Sequence, residues 1–136
     1  MFCVTQELDF CYGHRLLNYS GKCRHLHGHN ARVLITIEAS QLDDQGMVLD
    51  FGDIKRVVHG WIDENLDHRM ILSRDDPMVR VFQEMGEPLY LIDANPTAEN
   101  LAKLIGETAL AAGFPVVEVR FWETPRCHAT YRPKIS

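Results

Sequence analysis

Hydrophobic and polar residues alternate along the start of the chain. Phe2, Val4, Leu8, Phe10 and Tyr12 share one parity, and His14 continues it. Residues 27–39 alternate as well. His27, His29, Ala31, Val33, Ile35, Ile37 and Ala39 fall on one side, with Asn30, Arg32, Thr36 and Glu38 opposite. A period of two predicts two half-buried strands. Asp43-Asp44-Gln45-Gly46 is a turn signal, and Met47–Phe51 is expected to be a short strand after it. From about Asp53 the period changes. Ile54, Val57, Val58, Trp61 and Ile62 stand at helical spacing and predict an amphipathic helix. Pro77–Met85 reads as a short helix and Pro88–Ile92 as a short strand. Asn95-Pro96-Thr97 opens a second long helix, with Leu101, Leu104, Ile105 and Thr108 on one face and Gly113 ending it. Val117, Val119 and Phe121 alternate again, Glu123 extends their parity, and Cys127–Tyr131 is a last strand. The order β-β-β-α-(α)-β-α-β-β predicts an α+β fold, with two long helices packed on one face of an antiparallel sheet.

Composition narrows the function. The chain has 136 residues, about one domain by the usual size range, and no repeat or linker-like stretch interrupts 1–136. A chain this short buries a modest share of its surface, which favours oligomers. The net charge of −5 argues against a nucleic-acid surface. Met1-Phe2-Cys3-Val4-Thr5-Gln6-Glu7 has neither the basic start nor the apolar run of a signal peptide. No apolar run approaches the roughly 20 residues needed to cross a bilayer. Cys3, Cys11, Cys23 and Cys127 are sparse and irregularly spaced, so they read as thiols of a cytoplasmic protein and not as a disulfide frame.

The candidate chemistry is concentrated in Cys23-Arg24-His25-Leu26-His27-Gly28-His29. Residues two apart in a strand point to the same side, so His27 and His29 project together. A third imidazole from a neighbouring strand, with His14 at a strand end, gives a three-nitrogen zinc site with one position open, the pattern of catalytic zinc. The spacing alone does not choose the ligands, because His25 shares the parity of His27 and His29. Two blander readings stand beside this one: hydrogen-bonded core histidines, and a closed structural site using Cys23. Cys23 lies between Lys22 and Arg24, where nearby cations and a metal favour thiolate. Asp67-His68 is a pair able to move a proton, or equally a helix terminus. Glu123 is a carboxylate on an apolar strand face, which must find partners unless it emerges into solvent. Thr97-Ala98-Glu99-Asn100 reads as a helix cap.

Several blocks together resemble the 6-pyruvoyl-tetrahydropterin synthase family, and most closely its bacterial 6-carboxy-tetrahydropterin synthase branch of queuosine biosynthesis. They are Gly13-His14-Arg15, Gly21-Lys22-Cys23-x-x-Leu26-His27-Gly28-His29-Asn30, Val48-Leu49-Asp50-Phe51, Leu66-Asp67-His68-Arg69, Asn95-Pro96-Thr97-Ala98-Glu99-Asn100-Leu101 and Trp122-Glu123-Thr124-Pro125. They run in order along nearly the whole chain. The resemblance implies the tunnelling fold, with trimers forming a β-barrel and two trimers stacking into a homohexamer. It implies Zn2+ on His14, His27 and His29, with His25 at a position the motif leaves free. It makes Cys23 the general base, and Asp67 and His68 its triad partners from an adjacent subunit. It makes Glu123 the pterin anchor and puts Thr97 in the segment touching the pterin edge. The implied substrate is 7,8-dihydroneopterin triphosphate, a small molecule, with no nucleic-acid or membrane partner. Lys22, Arg24, Arg15 and Arg69 are candidates for steering the triphosphate on charge and proximity alone. The aldolase-like members carry Glu in place of the thiol, so Cys23 argues against that branch. The implied product is 6-carboxy-tetrahydropterin with release of triphosphate and acetaldehyde. The alternatives are the 6-pyruvoyl product and a non-catalytic zinc-stabilised pterin-binding protein.

Overall fold

The computed structural model describes residues 1–134. Two thirteen-residue strands form its spine: β1 (Phe2–His14) and β2 (His27–Ala39), paired antiparallel from Phe2↔Ala39 to His14↔His27. The short 3-10 turn Lys22–Arg24 lies between them. After β2, Asp43 Oδ1 accepts the N–H groups of Gln45 and Met47 at 2.9 Å each, closing the expected turn.

The expected strand at Met47–Phe51 does not form. Val48 and Leu49 pack singly against the core, and Asp50 becomes a helix N-cap, accepting Gly52 N–H at 2.8 Å. Phe51 already belongs to the helix. A capping aspartate in extended conformation commits the next residues to helix, so the short apolar stretch before it has no length left to pair as a strand.

The helical rod runs as α1 (Phe51–Ile54), a π-helical turn (Lys55–His59) and α2 (Gly60–Asn65). Its fully buried residues are Ile54, Val58, Ile62 and, just past the end, Leu66. Four-residue spacing drifts by about 40° per step on an ideal α-helix. A widened turn takes up part of that drift and keeps all four on the sheet.

Next comes β3 (Arg69–Ser73), which the sequence pattern did not reveal. It pairs parallel to β1 at Tyr12↔Arg69 through His14↔Ile71 and parallel to β4 (Leu89–Ile92). Ile71, Leu72 and Ser73 are all buried, so no alternation marks them. The short helix α3 (Met78–Met85) precedes β4. The long helix α4 (Ala98–Ala111) follows, capped by Thr97, whose Oγ1 accepts Asn100 N–H at 3.1 Å. β5 (Val116–Thr124) and β6 (Cys127–Tyr131) close the sheet, whose order is β4-β3-β1-β2-β5-β6. The fold is α+β as expected. The antiparallel part is β1-β2-β5-β6, and a parallel margin of β3 and β4 is added beside β1.

One core lies between the sheet and the two long helical segments. Leu8, Phe10, Val33, Ile35, Val119 and Phe121 meet Ile54, Val58, Ile62, Leu101 and Ile105. A bulge in the β2–β5 pairing at Thr36/Ile37 puts Val116, rather than Val117, into the buried row. Among the described residues, no helix is long and apolar enough to cross a membrane.

The α4–sheet contact is closest at Gly106, where an added Cβ would stand 2.9 Å from the Tyr131 ring and 3.2 Å from Val119. Gly106→Val should therefore destabilise the protein by about 1–3 kcal/mol through overpacking. Urea unfolding of the two proteins measures this, and an unchanged midpoint would show that α4 has room to move.

Candidate metal centre and its surroundings

The β1–β2 register brings His14 directly opposite His27, and Tyr12 opposite His29. All four side chains point to the helix-covered side of the sheet, at the end of the apolar row. The three imidazoles form a nearly equilateral triangle, with ring centroids 4.6, 4.9 and 5.1 Å apart. Glu123, near the end of β5, adds a carboxylate. One ligand atom from each of His14, His27, His29 and Glu123 lies within 4.8 Å of the others.

The hydrogen bonds around the triangle decide where its lone pairs point. His14 Nδ1 lies 2.6 Å from the Pro96 carbonyl, and His27 Nδ1 lies 2.7 Å from the His25 carbonyl. A carbonyl only accepts, so both Nδ1 atoms carry hydrogen. Both Nε2 atoms then present lone pairs, and these two nitrogens are 3.1 Å apart. His29 Nε2 stands 3.0 Å from Glu123 Oε1 but off the hydrogen-bonding direction, so it is buried without a hydrogen-bond partner. Imidazole nitrogens converging in this way favour a cation between them. Metal–nitrogen bonds of about 2.0–2.1 Å in tetrahedral geometry place ligand nitrogens a little over 3 Å apart, close to this spacing. The residues therefore fit a metal ion. Three imidazoles with a carboxylate suit zinc and other borderline metals.

Burial pushes the His14 pKa down to about 4, against the Pro96 carbonyl, with His27 and His29 reinforcing the shift. His29 is also lowered, by burial first, although Glu123 opposes. Both rings are neutral at neutral pH, as metal ligands must be. The Tyr12 phenol lies in the same wall, its ring 5.1 Å from that of His14. Burial, then Glu123 and Cys23, raise its pKa far above the ordinary value. It is a permanent O–H donor, buried without a partner. Sequence reasoning placed Tyr12 in the core and missed this polar end; its parity with His14 was the available signal.

Cys23 sits half-buried in the 3-10 turn, with its carbonyl accepting Leu16 N–H at 2.8 Å. Neither cluster of potential ligand atoms found among the described residues includes its thiol. Asp67 and His68 gather elsewhere. Asp67 Oδ1 accepts Cys11 N–H at 3.0 Å, its Oδ2 accepts His68 Nδ1–H at 2.8 Å, and His68 N–H donates to the Cys11 carbonyl at 2.8 Å. Burial pushes the Asp67 carboxyl up, but the Cys11 N–H and the His68 ring outweigh it and hold the group below its ordinary value. His68 itself is exposed and adopts φ 59°, a left-handed backbone uncommon for this residue and frequent at functional positions. Cys11 has the opposite parity to His14. His68 lines a cavity of about 450 Å³ together with Cys11, Tyr12, Gly13, His29 and Met70. Neither Asp67 nor His68 belongs to the ligand cluster of the triangle.

The remaining expectations fall in between. Thr97 stands beside Pro96, and its hydroxyl is committed to the α4 cap. Arg15 is held by buried Asp76, with one contact at 2.8 Å, while Arg24 and Arg69 donate to backbone carbonyls of Ser20 and Glu64.

The chain is similar to known proteins along nearly its whole length. The model of the family described as 6-pyruvoyl tetrahydropterin synthase matches residues 3–134. The chain is 37% identical over 134 residues to the 6-carboxy-5,6,7,8-tetrahydropterin synthase of Rickettsia bellii, covering 93% of this chain and 97% of that protein. It is 33% identical over 124 residues to the protein of the same name from Aquifex aeolicus, covering 82% and 76%. Among solved structures, an uncharacterized Wolinella succinogenes protein superposes with TM-score 0.79 at 28% identity, covering 98% of each chain. The Caenorhabditis elegans 6-pyruvoyl tetrahydropterin synthase superposes with TM-score 0.72 at 26% identity, also covering 98% of each. The tunnelling fold expected from the sequence is the fold of these structures.

The lowered pKa of His14 has a measurable consequence for the metal-free protein. Unfolded His14 takes up a proton near pH 6.5, whereas folded His14 resists it to about pH 4. Its contribution is present above pH 6.5 and is lost as pH falls through that window, by about 3 kcal/mol in all. Urea unfolding with chelator at pH 7 and pH 5.5, above the range where most carboxylates titrate, should show about 1 kcal/mol of that loss. A flat profile would mean that His14 is not held neutral.

Proposed function

The chain belongs to the 6-pyruvoyl tetrahydropterin synthase family, and from that premise we propose that it converts 7,8-dihydroneopterin triphosphate and water to 6-carboxy-5,6,7,8-tetrahydropterin, triphosphate and acetaldehyde. The observation that carries this reading is the metal-ready triangle of His14, His27 and His29 with Glu123 at its margin. It lies in a chain whose relatives at 37% identity bear the 6-carboxy name. The reaction fits the queuosine pathway and a cytoplasmic enzyme of the lyase class.

Each residue has a role suited to its position. His14, His27 and His29 would hold zinc, which when bound supplies Lewis acidity to side-chain oxygens of the substrate. Glu123 accepts the parallel ring N–H and exocyclic amine of the pterin as a charge-assisted pair. The backbone around Thr97, beside the Pro96 carbonyl, borders the pterin edge. Cys23 takes a proton from the substrate side chain. The pterin ring accepts the electrons which that side chain gives up, so no external oxidant is required. His68 returns the proton, with Asp67 fixing its Nδ1–H tautomer at 2.8 Å. Lys22, which has no side-chain partner among the described residues, is the loop cation available to the triphosphate.

The separation of Asp67 and His68 from the triangle supports an assembly in which they serve Cys23 of an adjacent chain. A homohexamer built as two trimers, with active sites at subunit boundaries, is the arrangement we propose. Cys11 offers a second reading for the thiol, because its Sγ clusters with Asp67 and His68 in the same chain.

Incubation of the purified protein with dihydroneopterin triphosphate tests the reaction directly. Triphosphate, acetaldehyde and the 6-carboxy pterin are the expected products. A 6-pyruvoyl pterin without acetaldehyde would assign the pyruvoyl activity, and no triphosphate release would leave a zinc-stabilised binding protein. Cys23→Ala should lower turnover by roughly 10²–10⁴-fold, the usual worth of general-base catalysis, with metal content unchanged. Cys11→Ala should leave turnover near that of the unsubstituted protein; the reverse pattern would transfer the base to Cys11.

A further inference from the structure

Residues 15–26 join the two strands that carry the imidazoles, and they carry Cys23. Their regular structure is one 3-10 turn, so something else must hold them. The holding contacts come from the loop before α4. Leu17 N–H donates to Asn95 Oδ1 at 2.8 Å, and Asn95 Nδ2 donates back to the Leu17 carbonyl at 2.9 Å. One side-chain amide thus satisfies both backbone groups of a residue 78 positions away. Leu16, the adjacent residue, donates its N–H to the Cys23 carbonyl at 2.8 Å. Asn95 is itself fixed, because its carbonyl accepts Thr97 N–H at 2.8 Å and Asn100 Nδ2 at 2.8 Å. The next carbonyl along, that of Pro96, accepts the His14 Nδ1–H.

We propose that Asn95 is a positioning residue for Cys23, its amide clamping Leu17 so that the thiol loop is held in register with the His14 strand end. The inference rests on the reading of Cys23 as the base. Only an amide supplies an acceptor and a donor side by side at this point. An aspartate would turn an oxygen toward the Leu17 carbonyl, and an alanine would leave both Leu17 groups unpaired. The Pro96 carbonyl contact to His14 uses backbone and survives either change. The clamp therefore governs the thiol and not the metal.

The test compares Asn95→Asp, Asn95→Ala and, as a control, Thr108→Ala, which removes the Thr108 hydroxyl's bond to the Leu104 carbonyl within α4 without touching the clamp. For the Asn95 variants we expect zinc per chain unchanged, KM altered by less than about threefold and kcat lowered by about 10²-fold, the scale of an ångström-sized misplacement. Cys23 should react with iodoacetamide about tenfold faster relative to exposed Cys3 of the same chain, and trypsin should cut faster after Lys22 and Arg24, as local opening predicts. Thr108→Ala should keep kcat and Cys23 protection. Unchanged kcat, unchanged Cys23 protection, or a kcat loss that tracks zinc loss would each overturn the proposal. If alanine prevents folding, the isosteric aspartate decides alone. If the unsubstituted protein releases no triphosphate, the functional reading fails, while the alkylation and proteolysis comparison still decides whether Asn95 clamps the loop.

Discussion

The register between β1 and β2 is the constraint on which the rest depends. Thirteen paired positions set His14 against His27 and Tyr12 against His29. A slip of one residue would turn every side chain of a strand to the other face and scatter the triangle. That slip is prevented far from the metal centre, by Leu8, Phe10, Val33 and Ile35 buried under the helices. The apolar row and the imidazoles belong to the same parity. Core packing and ligand geometry are thus specified by one set of alternating positions.

A second layer turns that geometry into chemistry. Backbone carbonyls of Pro96 and His25 fix the hydrogens on His14 and His27, so that both Nε2 atoms face inward as lone pairs. Burial keeps His14 and His29 neutral. The site is preorganised for a cation, with the Nε2 atoms of His14 and His27 3.1 Å apart. These two carbonyls come from the β4–α4 connection and from the loop before β2, segments with little regular structure of their own.

The chemistry is also divided. The triangle and Glu123 stand on the helix-covered side, whereas Asp67 and His68 are hydrogen-bonded to the backbone of Cys11. Within one chain the two sets form separate clusters of ligand atoms. The left-handed backbone of exposed His68 makes sense where a neighbouring surface determines the residue's use.

The sequence by itself determined the elements whose signals are periodic or local. These were the long strands, the amphipathic helix from Asp53, the helix capped by Thr97, the turn at Asp43–Gly46 and the common face of His14, His27 and His29. Side-chain parity and capping are set within a few residues, so they survive without tertiary context. The strand at Arg69–Ser73 was not legible, because a strand buried on both sides between parallel neighbours shows no alternation. The misread strand at Met47–Phe51 failed for a different reason: a short apolar run followed the turn, but Asp50 took the chain into a helix. Only the tertiary structure decided that Glu123 leans on His29, that Asp67 and His68 meet Cys11 rather than Cys23, and that Asn95 grips Leu17. These contacts join residues tens of positions apart, and their distances depend on how strands and loops stack in space. No spacing along the chain encodes that.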